Sequence, residues 1–547
     1  MAWFDEAIIY HIYPIGLSDS PKINSYKVDE HRLNKITPWI SHIKKLGCTA
    51  LYIGPLFESV GHGYETTDYK KLDSRLGTNE DLIKFIKECH KEEIKVILDG
   101  VFNHVGRDFF AFKDLLEKRE NSPYRDWFCN VNFGANNEYN DGLCYDNWGG
   151  HNLLVKLNQK NPAVIDFIKD VIYFWVKEFD IDGIRLDAAD VLDFDFMKQL
   201  RAIASDVKPD FWLLGEVIHG DYTRWVNEQT LHAVTNYVLH KALYSAHNDH
   251  NYFEIAHTIK RLQEMGPNLK LYNFVDNHDV ARIYTKLDNK SHFTPAHIML
   301  FTLPGIPSIY YGSEFGIEGQ KEQGSDFSLR PALNLDEFKD SFKTNQFTKL
   351  VAKLCEIRKS TKALSYGEYK ELFLSNRQYV FERTQDDTQV IIAVNNDDND
   401  FSVTVKANSS GTYTGAIFGD KQTANNRNLT ITIKANSGEI YIPNTTSLSK
   451  PLKVKQEKII SPKPEPKKKP TDKKTELVQK TEPEKKTPKI NISVSANKPY
   501  EEMTIEELQS AILKRMEQNG PVTEQMKKDV YQNTHHGSLV TWIKSFN

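Results

Sequence analysis

The sequence has little cysteine and no long hydrophobic run. Its five cysteines are scattered, odd in number and not in the spacing of a metal site, which favours free thiols in a reducing compartment. The N-terminal residues Met-Ala-Trp-Phe-Asp-Glu lack the basic and apolar parts of a signal peptide, and no apolar stretch is long enough to span a membrane. We therefore expect a cytoplasmic protein with no membrane partner.

A strong excess of charge is also missing. The 70 basic and 74 acidic residues give a net charge of −4, so no overall field favours a nucleic-acid partner. Lysine is concentrated between Lys450 and Lys489, but glutamates are interspersed there and aromatic residues are absent. This composition indicates a solvated segment and not a binding site for nucleic acid.

No glycine-rich phosphate loop follows the first apolar run, which disfavours the alternative of an open, doubly wound sheet. Instead, short apolar runs alternate with helical patterns such as residues 79–91, 162–179 and 295–301. Eight strands separated by helices predict an α/β fold, a (β/α)8 TIM barrel. The predicted strands are residues 7–14, 48–54, 95–101, 181–186, 211–216, 233–238, 271–275 and 306–311.

The barrel is interrupted by residues 105–160, which are rich in Asn, Asp, Gly and aromatic residues. We expect a small inserted domain over the barrel mouth, called the B domain below, where active-site loops gather. It divides the catalytic barrel into residues 1–104 and 161–360.

The pattern changes after residue 360. Residues 361–445 alternate apolar and polar positions and predict a C-terminal antiparallel β-sandwich. Residues 446–499 are rich in Lys, Pro and Glu and predict a disordered linker, because they cannot bury enough apolar surface. Residues 500–547 regain helical spacing after a capping box at Thr504–Glu507 and predict a small helical module. A tethered module of this kind suggests a protein partner or self-association.

Three carboxylates close apolar, strand-like runs: Asp187, Glu216 and Asp279. Arg185 lies two residues before Asp187, so strand alternation puts both on one face and the guanidinium can keep that carboxylate ionised. The apolar run before Glu216 predicts a raised pKa for its carboxyl group. Three such acids in one pocket could attack a carbon, protonate a leaving group and stabilise positive charge, as the cleavage of a glycosidic bond requires.

Each of these residues also has a purely structural explanation. An aspartate at a strand end often caps the next helix, Arg185 and Asp187 could form a structural ion pair, and His104 or His278 could be a hydrogen-bonded core histidine. Polar clusters that follow four strands in order, at His104, Asp187, Glu216 and Asp279, are hard to attribute to chance.

Four short regions carry a family resemblance: Asp99-Gly-Val-Phe-Asn-His104, Gly183-Ile-Arg-Leu-Asp187, Gly215-Glu216 and Phe274-Val-Asp-Asn-His-Asp279. With them the chain resembles the α-amylase superfamily, the family 13 glycoside hydrolases. Leu154-Val-Lys-Leu-Asn158 is similar to the Met-Pro-Lys-Leu-Asn signature of the neopullulanase and cyclomaltodextrinase group, with Met and Pro replaced. The resemblance covers residues 1–445 and implies the same architecture of barrel, B domain and β-sandwich.

The resemblance implies a role for each site residue. Asp187 would be the nucleophile, Glu216 the acid/base and Asp279 the stabiliser of the transition state. The substrate-binding residues would be Tyr64, His104, Arg185, His278, Asp326 and Arg330. A retaining mechanism with a covalent glycosyl-enzyme follows, with the first two carboxyl groups about 5–5.5 Å apart. The reaction requires no cofactor, and Asn103 matches a calcium ligand of the family.

The expected substrates are α-glucan oligosaccharides, namely maltodextrins, cyclodextrins or related glucans cleaved at α-1,4 bonds. A transglycosylase and a non-catalytic carbohydrate-binding scaffold are the alternatives, and the second is disfavoured because all three acids are present. Trp127, Tyr145 and Trp148 are equally suited to stacking on sugars and to forming the core of the B domain.

Overall fold

The computed structural model describes residues 2–266, 269–323, 325–444 and 504–519, together with Val530 and Ile543. Eight parallel strands form its central sheet, and a bridge between Thr235 and Tyr272 joins the two edge strands, so that the sheet closes into a barrel. The predicted (β/α)8 barrel is confirmed. Its strands are β1 (Ile9–Ile12), β2 (Ala50–Ile53), β3 (Lys95–Gly100), β4 (Gly183–Leu186), β5 (Trp212–Gly215), β6 (Ala233–Val234), β7 (Tyr272–Phe274) and β8 (Ile306–Tyr310).

Amphipathic helices alternate with these strands, and their starts follow from capping residues. Asn161 accepts the N–H of Ala163 at 2.9 Å at the start of one helix, and Asp193 caps another in the same way. The predicted helix over residues 162–179 is α-helical to Phe174 and continues as a π-helical turn. The longer helices are Leu33–Leu46, Asn79–Lys91, Phe110–Lys118, Pro162–Phe174, Phe194–Val207, Tyr237–Asn248, Phe253–Met265, Phe293–Thr302 and Gln346–Ser360.

The segment between β3 and β4 contains a three-stranded antiparallel sheet. Its strands are His104–Gly106, Asn147–Trp148 and His151–Lys156, the last in the centre. Trp127 packs against the rings of Phe110 and Phe167, and Tyr145 is buried, so both belong to local cores. Trp148 is half-buried, and its ring lies parallel to that of His104 at 6.4 Å.

Residues after the barrel form an eight-stranded antiparallel sheet. Phe373 and Phe401, on the two end strands of its order, stack at 5.5 Å, so the sheet folds over a core that includes Ile391, Tyr413 and Ile431. The predicted β-sandwich is confirmed, with two strands that were not predicted, Glu368–Leu374 and Lys421–Asn425. In the order of the sheet, the strands are Glu368–Leu374, Gln378–Gln385, Thr388–Asn395, Ser437–Pro443, Gly411–Gly415, Lys421–Asn425, Asn428–Ile433 and Phe401–Lys406.

The C-terminal unit contains the helix Ile505–Asn519. Thr504 donates its N–H to Glu507 Oε2 at 2.7 Å, and its Oγ1 accepts the N–H of Glu507 at 3.3 Å, which is the predicted capping box. Leu508 and Ile512 form a small apolar cluster with Val530 and Ile543. The predicted linker, residues 446–499, lies outside the described residues. Within the described part of the chain, no helix combines the length and the apolar character needed to cross a membrane.

Candidate active site

The predicted acids lie at the carboxyl ends of the barrel strands. Asp187 and Glu216 directly follow β4 and β5, and their backbone N–H groups continue the barrel ladder with hydrogen bonds of 3.1 and 2.9 Å to carbonyls of the preceding strands. Asp279 lies in the loop after β7, where Asn277 Oδ1 accepts its N–H at 2.8 Å. Parallel strands therefore deliver all three acids to one end of the barrel, where barrel enzymes have their active sites.

Arg185 binds three carboxylates at once. Its Nη1 lies 2.9 Å from Asp99 Oδ1 and 3.0 Å from Asp187 Oδ1, and its Nη2 lies 2.7 Å from Glu216 Oε1. The pairing with Asp187 was predicted, whereas the contact with Glu216 was not. One guanidinium thus holds two of the predicted catalytic carboxyl groups in fixed positions.

Strand register explains this arrangement. Asp99 of β3 stands opposite Arg185 of β4, and Arg185 stands opposite Leu214 of β5. Two positions further on, just past the ends of β4 and β5, Asp187 and Glu216 come side by side. Asp99 is itself fixed by the hydroxyl of Tyr52, which donates to its Oδ2 at 2.9 Å.

A left-handed residue follows Asp187. Ala188 has φ 47° and ψ 42°, a conformation that is uncommon for a residue with a Cβ and is found at functional sites. The turn directs the N–H of Ala188 toward Glu216, whose Oε2 accepts it at 3.0 Å. Both oxygens of the Glu216 carboxyl group are therefore held by donors.

Asp279 is held by two basic side chains. Its Oδ1 lies 2.9 Å from Arg330 Nη2, and its Oδ2 lies 3.0 Å from His278 Nε2. The same Nη2 of Arg330 lies 3.3 Å from Asp326 Oδ2, so the predicted Asp326–Arg330 pair is present and is continuous with Asp279.

Tyr64 and the two predicted histidines complete the pocket wall. The hydroxyl of Tyr64 lies 2.5 Å from His278 Nε2 and donates to Asp99 Oδ2 at 3.3 Å. The rings of Tyr64 and His278 lie nearly parallel, 5.8 Å apart. His104 is buried at the start of the B-domain sheet, where its Nδ1 accepts from Asn103 Nδ2 at 3.2 Å.

Comparison with known proteins agrees with this geometry. Residues 11–361 match the family described as alpha amylase, catalytic domain, and residues 367–441 match the alpha-amylase C-terminal domain. The chain belongs to the alpha-amylase family. It is therefore a glycoside hydrolase by family.

Named relatives within the alpha-amylase family lie at about 30% identity. The chain is 31% identical over 423 residues to a cyclomaltodextrinase of Bacillus sp, covering 72% of this chain and 74% of that protein. It is 28% identical over 468 residues to neopullulanase 2 of Thermoactinomyces vulgaris, covering 80% of this chain and 78% of that protein. The native form of the debranching enzyme of Nostoc punctiforme is similar in structure, with a TM-score of 0.70 and 28% identity. The match covers 80% of this chain and 98% of that protein.

The carboxylates of this alpha-amylase family site compete for one positive charge. Burial raises the pKa of Glu216, Arg185 opposes that rise, and the negative charge of Asp279 adds to it. Burial also raises the pKa of Asp187, against the same guanidinium. Since Asp99 is a third carboxylate on Arg185, the group as a whole retains a proton to higher pH than separate carboxyl groups would.

The two histidines are neutral. Burial lowers the pKa of His104 to about 3, and burial together with Arg330 and Arg185 lowers the pKa of His278 well below its usual range. Neutral imidazoles can donate to and accept from sugar hydroxyls without adding charge to the site.

Asn103, the residue that matches a calcium ligand of the family, contacts other parts of the chain through both of its oxygens. Its side-chain oxygen accepts from Gln159 Nε2 at 3.5 Å, and its backbone carbonyl accepts the N–H of Leu157 at 3.0 Å. Calcium takes about six to eight oxygen ligands. Among the residues that the structure describes, no group of three or more His, Cys, Asp or Glu side chains could hold a metal ion.

Two tyrosines of the site were not predicted. Tyr52 lies near the end of a predicted strand. The search for polar side chains at strand ends, which identified the acids, could therefore also have identified it. Tyr237 begins the helix after β6, and its hydroxyl accepts from Asn277 Nδ2 at 3.1 Å. Burial, with Glu216 and Asp279 nearby, raises the pKa of the Tyr237 hydroxyl well above its usual value. Tyr237 lies within the predicted strand 233–238, but the structure ends β6 at Val234 and places this residue at the start of a helix.

Proposed function

We propose that this protein is a retaining hydrolase of α-1,4 bonds in maltodextrins, cyclodextrins or related α-glucans, acting through a covalent glycosyl-enzyme. The observation that carries the proposal is the bridge by which Arg185 holds Asp187 and Glu216, 3.0 and 2.7 Å from its two terminal nitrogens. Carboxyl groups held by one guanidinium are close together, as a retaining pair must be. The similarity to a cyclomaltodextrinase and a neopullulanase supports the substrate class.

In the first step, Asp187 attacks the anomeric carbon, and the bond to the glycosidic oxygen breaks as Glu216 gives that oxygen its proton. In the second step, Glu216 takes a proton from water, and the water oxygen displaces Asp187 from the anomeric carbon. Asp279, held between Arg330 and His278, stabilises the positive charge of the oxocarbenium-like transition state.

The remaining predicted residues position the sugar. Tyr64 offers a ring face next to His278, and aromatic faces pack on the apolar face of a sugar ring. His104 and His278 are neutral and suited to hydroxyl groups. Asp326 and Arg330 extend the polar wall away from Asp279 toward the next glucosyl unit.

We propose that no cofactor takes part, because two carboxyl groups and water supply the nucleophile, the acid and the base. The five cysteines are all free, which supports a cytoplasmic location that cell fractionation would test. We further propose that the C-terminal module, which contains the helix Ile505–Asn519, makes a protein–protein contact.

The deciding experiment is a product profile on maltotriose, β-cyclodextrin and pullulan, with and without chelator. We expect glucose and maltose from maltotriose, unchanged by chelator, and loss of roughly 10⁴-fold or more in kcat for Asp187→Asn. Asp195→Asn, at an exposed helical site, is the matched control. Longer oligosaccharides would instead indicate the transglycosylase, and full activity of Asp187→Asn would exclude the proposed mechanism.

A further inference from the structure

A cavity of about 760 Å³ opens beside the Asp326–Arg330 pair, and none of the three acids lines it. It is within the size range of roughly 300–1,000 Å³ that holds small ligands. We propose that its outer wall, formed by Lys22 and Phe327, is a subsite for the third glucosyl unit on the non-reducing side of the cleaved bond. The inference rests on the proposed function and extends it to chain length. The lining residues that matter here are Tyr13, Lys22, His62, Asp326, Phe327 and Arg330.

The chemistry of this wall suits a sugar. The side chain of Phe327 is exposed to 53%, a large value for an aromatic residue, and Lys22 Nζ lies 3.8 Å from the centroid of its ring. A glucosyl unit has an apolar face of C–H groups and an edge of hydroxyl groups. An aromatic ring can pack against the apolar face of the sugar, and the neighbouring ammonium group can donate hydrogen bonds to its hydroxyl groups.

A buried arginine holds the backbone on the Lys22 side of the wall. Arg75 is 3% exposed and forms a double contact with Asp73. Its Nη1 also donates to the carbonyls of Pro21 and Lys22, at 3.1 and 3.3 Å. Asn24, two residues further on, donates to the carbonyl of Ser59 at 2.9 Å. The side chains of Arg75 and Asn24, which are separate from the three acids, therefore fix the backbone at Lys22.

Phe327 belongs to a short helical turn, in which its carbonyl accepts the N–H of Arg330 at 3.0 Å, and Leu329 anchors the same turn. The carbonyl of Leu329 accepts from the hydroxyl of Tyr310 at 3.0 Å and from Arg282 Nη2 at 3.2 Å. A Cβ at Gly16 would lie 2.2 Å from the carbonyl oxygen of Arg330, so only glycine permits this close approach of the two loops. The backbone of both walls is thus positioned before a substrate arrives, which lowers the cost of binding it.

The cavity also continues the catalytic pocket. Arg330 lies at its inner end and binds both Asp279 and Asp326, so a glucan extending from Asp279 past Arg330 would next reach Phe327. Binding of a glucosyl unit would explain why the ring of Phe327 is exposed at this position.

The test compares 4-nitrophenyl α-maltoside with 4-nitrophenyl α-maltotrioside. Release of nitrophenol reports only cleavage next to the aryl group, so two or three glucosyl units occupy the non-reducing side. We expect Phe327→Ala to lower the ratio of kcat/KM for the trioside to that for the maltoside by about three- to tenfold. Lys22→Ala should lower it less, and Phe327→Tyr should preserve it.

Phe253→Ala is the matched control, because Phe253 is exposed to 48% and does not line the cavity. It should leave the ratio unchanged. A ratio that stays constant in Phe327→Ala overturns the proposed subsite. A ratio that rises also overturns it, because it means that the Lys22–Phe327 contact closes the cavity to a third glucosyl unit. Cleavage of neither glycoside by the parent protein would instead count against the proposed function itself.

Discussion

At the scale of single residues, Arg185 sets the charge of the site. Its guanidinium is almost fully buried and faces Asp99, Asp187 and Glu216. Buried charges are costly unless they are paired and hydrogen-bonded. One positive charge cannot balance three carboxylates, so a proton on one of them is favoured, and Glu216 is the carboxyl group with a leaving group to protonate.

This argument predicts a pH effect for Glu216→Gln. Because the pKa of Glu216 is raised, its acid form persists above the usual carboxyl range, and kcat/KM of the parent should fall as pH rises through that pKa. The variant should lose about 10²- to 10⁴-fold in kcat/KM on maltotriose and lose that basic limb. Initial rates across pH measure both effects.

Glu228→Gln, at an exposed position, should keep the parent profile. α-Maltosyl fluoride, whose leaving group needs no proton, should show a much smaller loss of kcat/KM with Glu216→Gln, because kcat/KM reports the first step. A basic limb retained in Glu216→Gln would contradict the assignment of the acid.

At the scale of elements, a cluster of ion pairs lies at the end of the barrel strands opposite the three acids. Asp182 precedes β4 at the end opposite the acids, and its Oδ2 accepts the backbone N–H of Val96 at 3.0 Å. His90 Nε2 lies 2.7 Å from the same oxygen, while Lys95 and Lys208 both lie 2.9 Å from Oδ1. These partners outweigh burial and hold the pKa of Asp182 well below its usual range.

Asp182→Asn should therefore destabilise the barrel near neutral pH, by about 2 kcal/mol. A lowered carboxyl pKa stabilises the fold above the pKa of the unfolded chain, about 3.9, and this contribution is lost as pH falls below it. Urea midpoints at pH 7 and at pH 3, which is below the pKa of the unfolded chain, should differ less for the variant than for the parent. Asp195→Asn, in an exposed pair, should match the parent at both pH values, and equal midpoints for Asp182→Asn and the parent at pH 7 would exclude the role.

The positions of the acids could be predicted from the sequence because each follows an apolar run. The contact between Arg185 and Glu216 could not, since it depends on the register of β4 against β5, which no local pattern specifies. The strand Lys421–Asn425 was missed for a related reason. Its residues are mostly polar, and only pairing with Gly411–Gly415 and Asn428–Ile433 makes it a strand.

At the scale of the whole molecule, every predicted site residue lies between Tyr64 and Arg330. A chain ending at residue 445 should therefore hydrolyse maltotriose with the kcat/KM of the full chain. Steady-state rates of the two proteins measure this, and light scattering shows whether the removed residues cause self-association. A loss of more than about tenfold on this small substrate would contradict a tethering role for the C-terminal module.

The bridge made by Arg185 has a consequence for the order of the two chemical steps. When Asp187 becomes an ester, it loses its negative charge, and the guanidinium is left with two carboxylates, Asp99 and Glu216. The carboxylate form of Glu216 is then favoured just after it has given up its proton. The same fixed cation thus supports an acid before the intermediate and a base after it, so the reversal of role requires no movement of the protein.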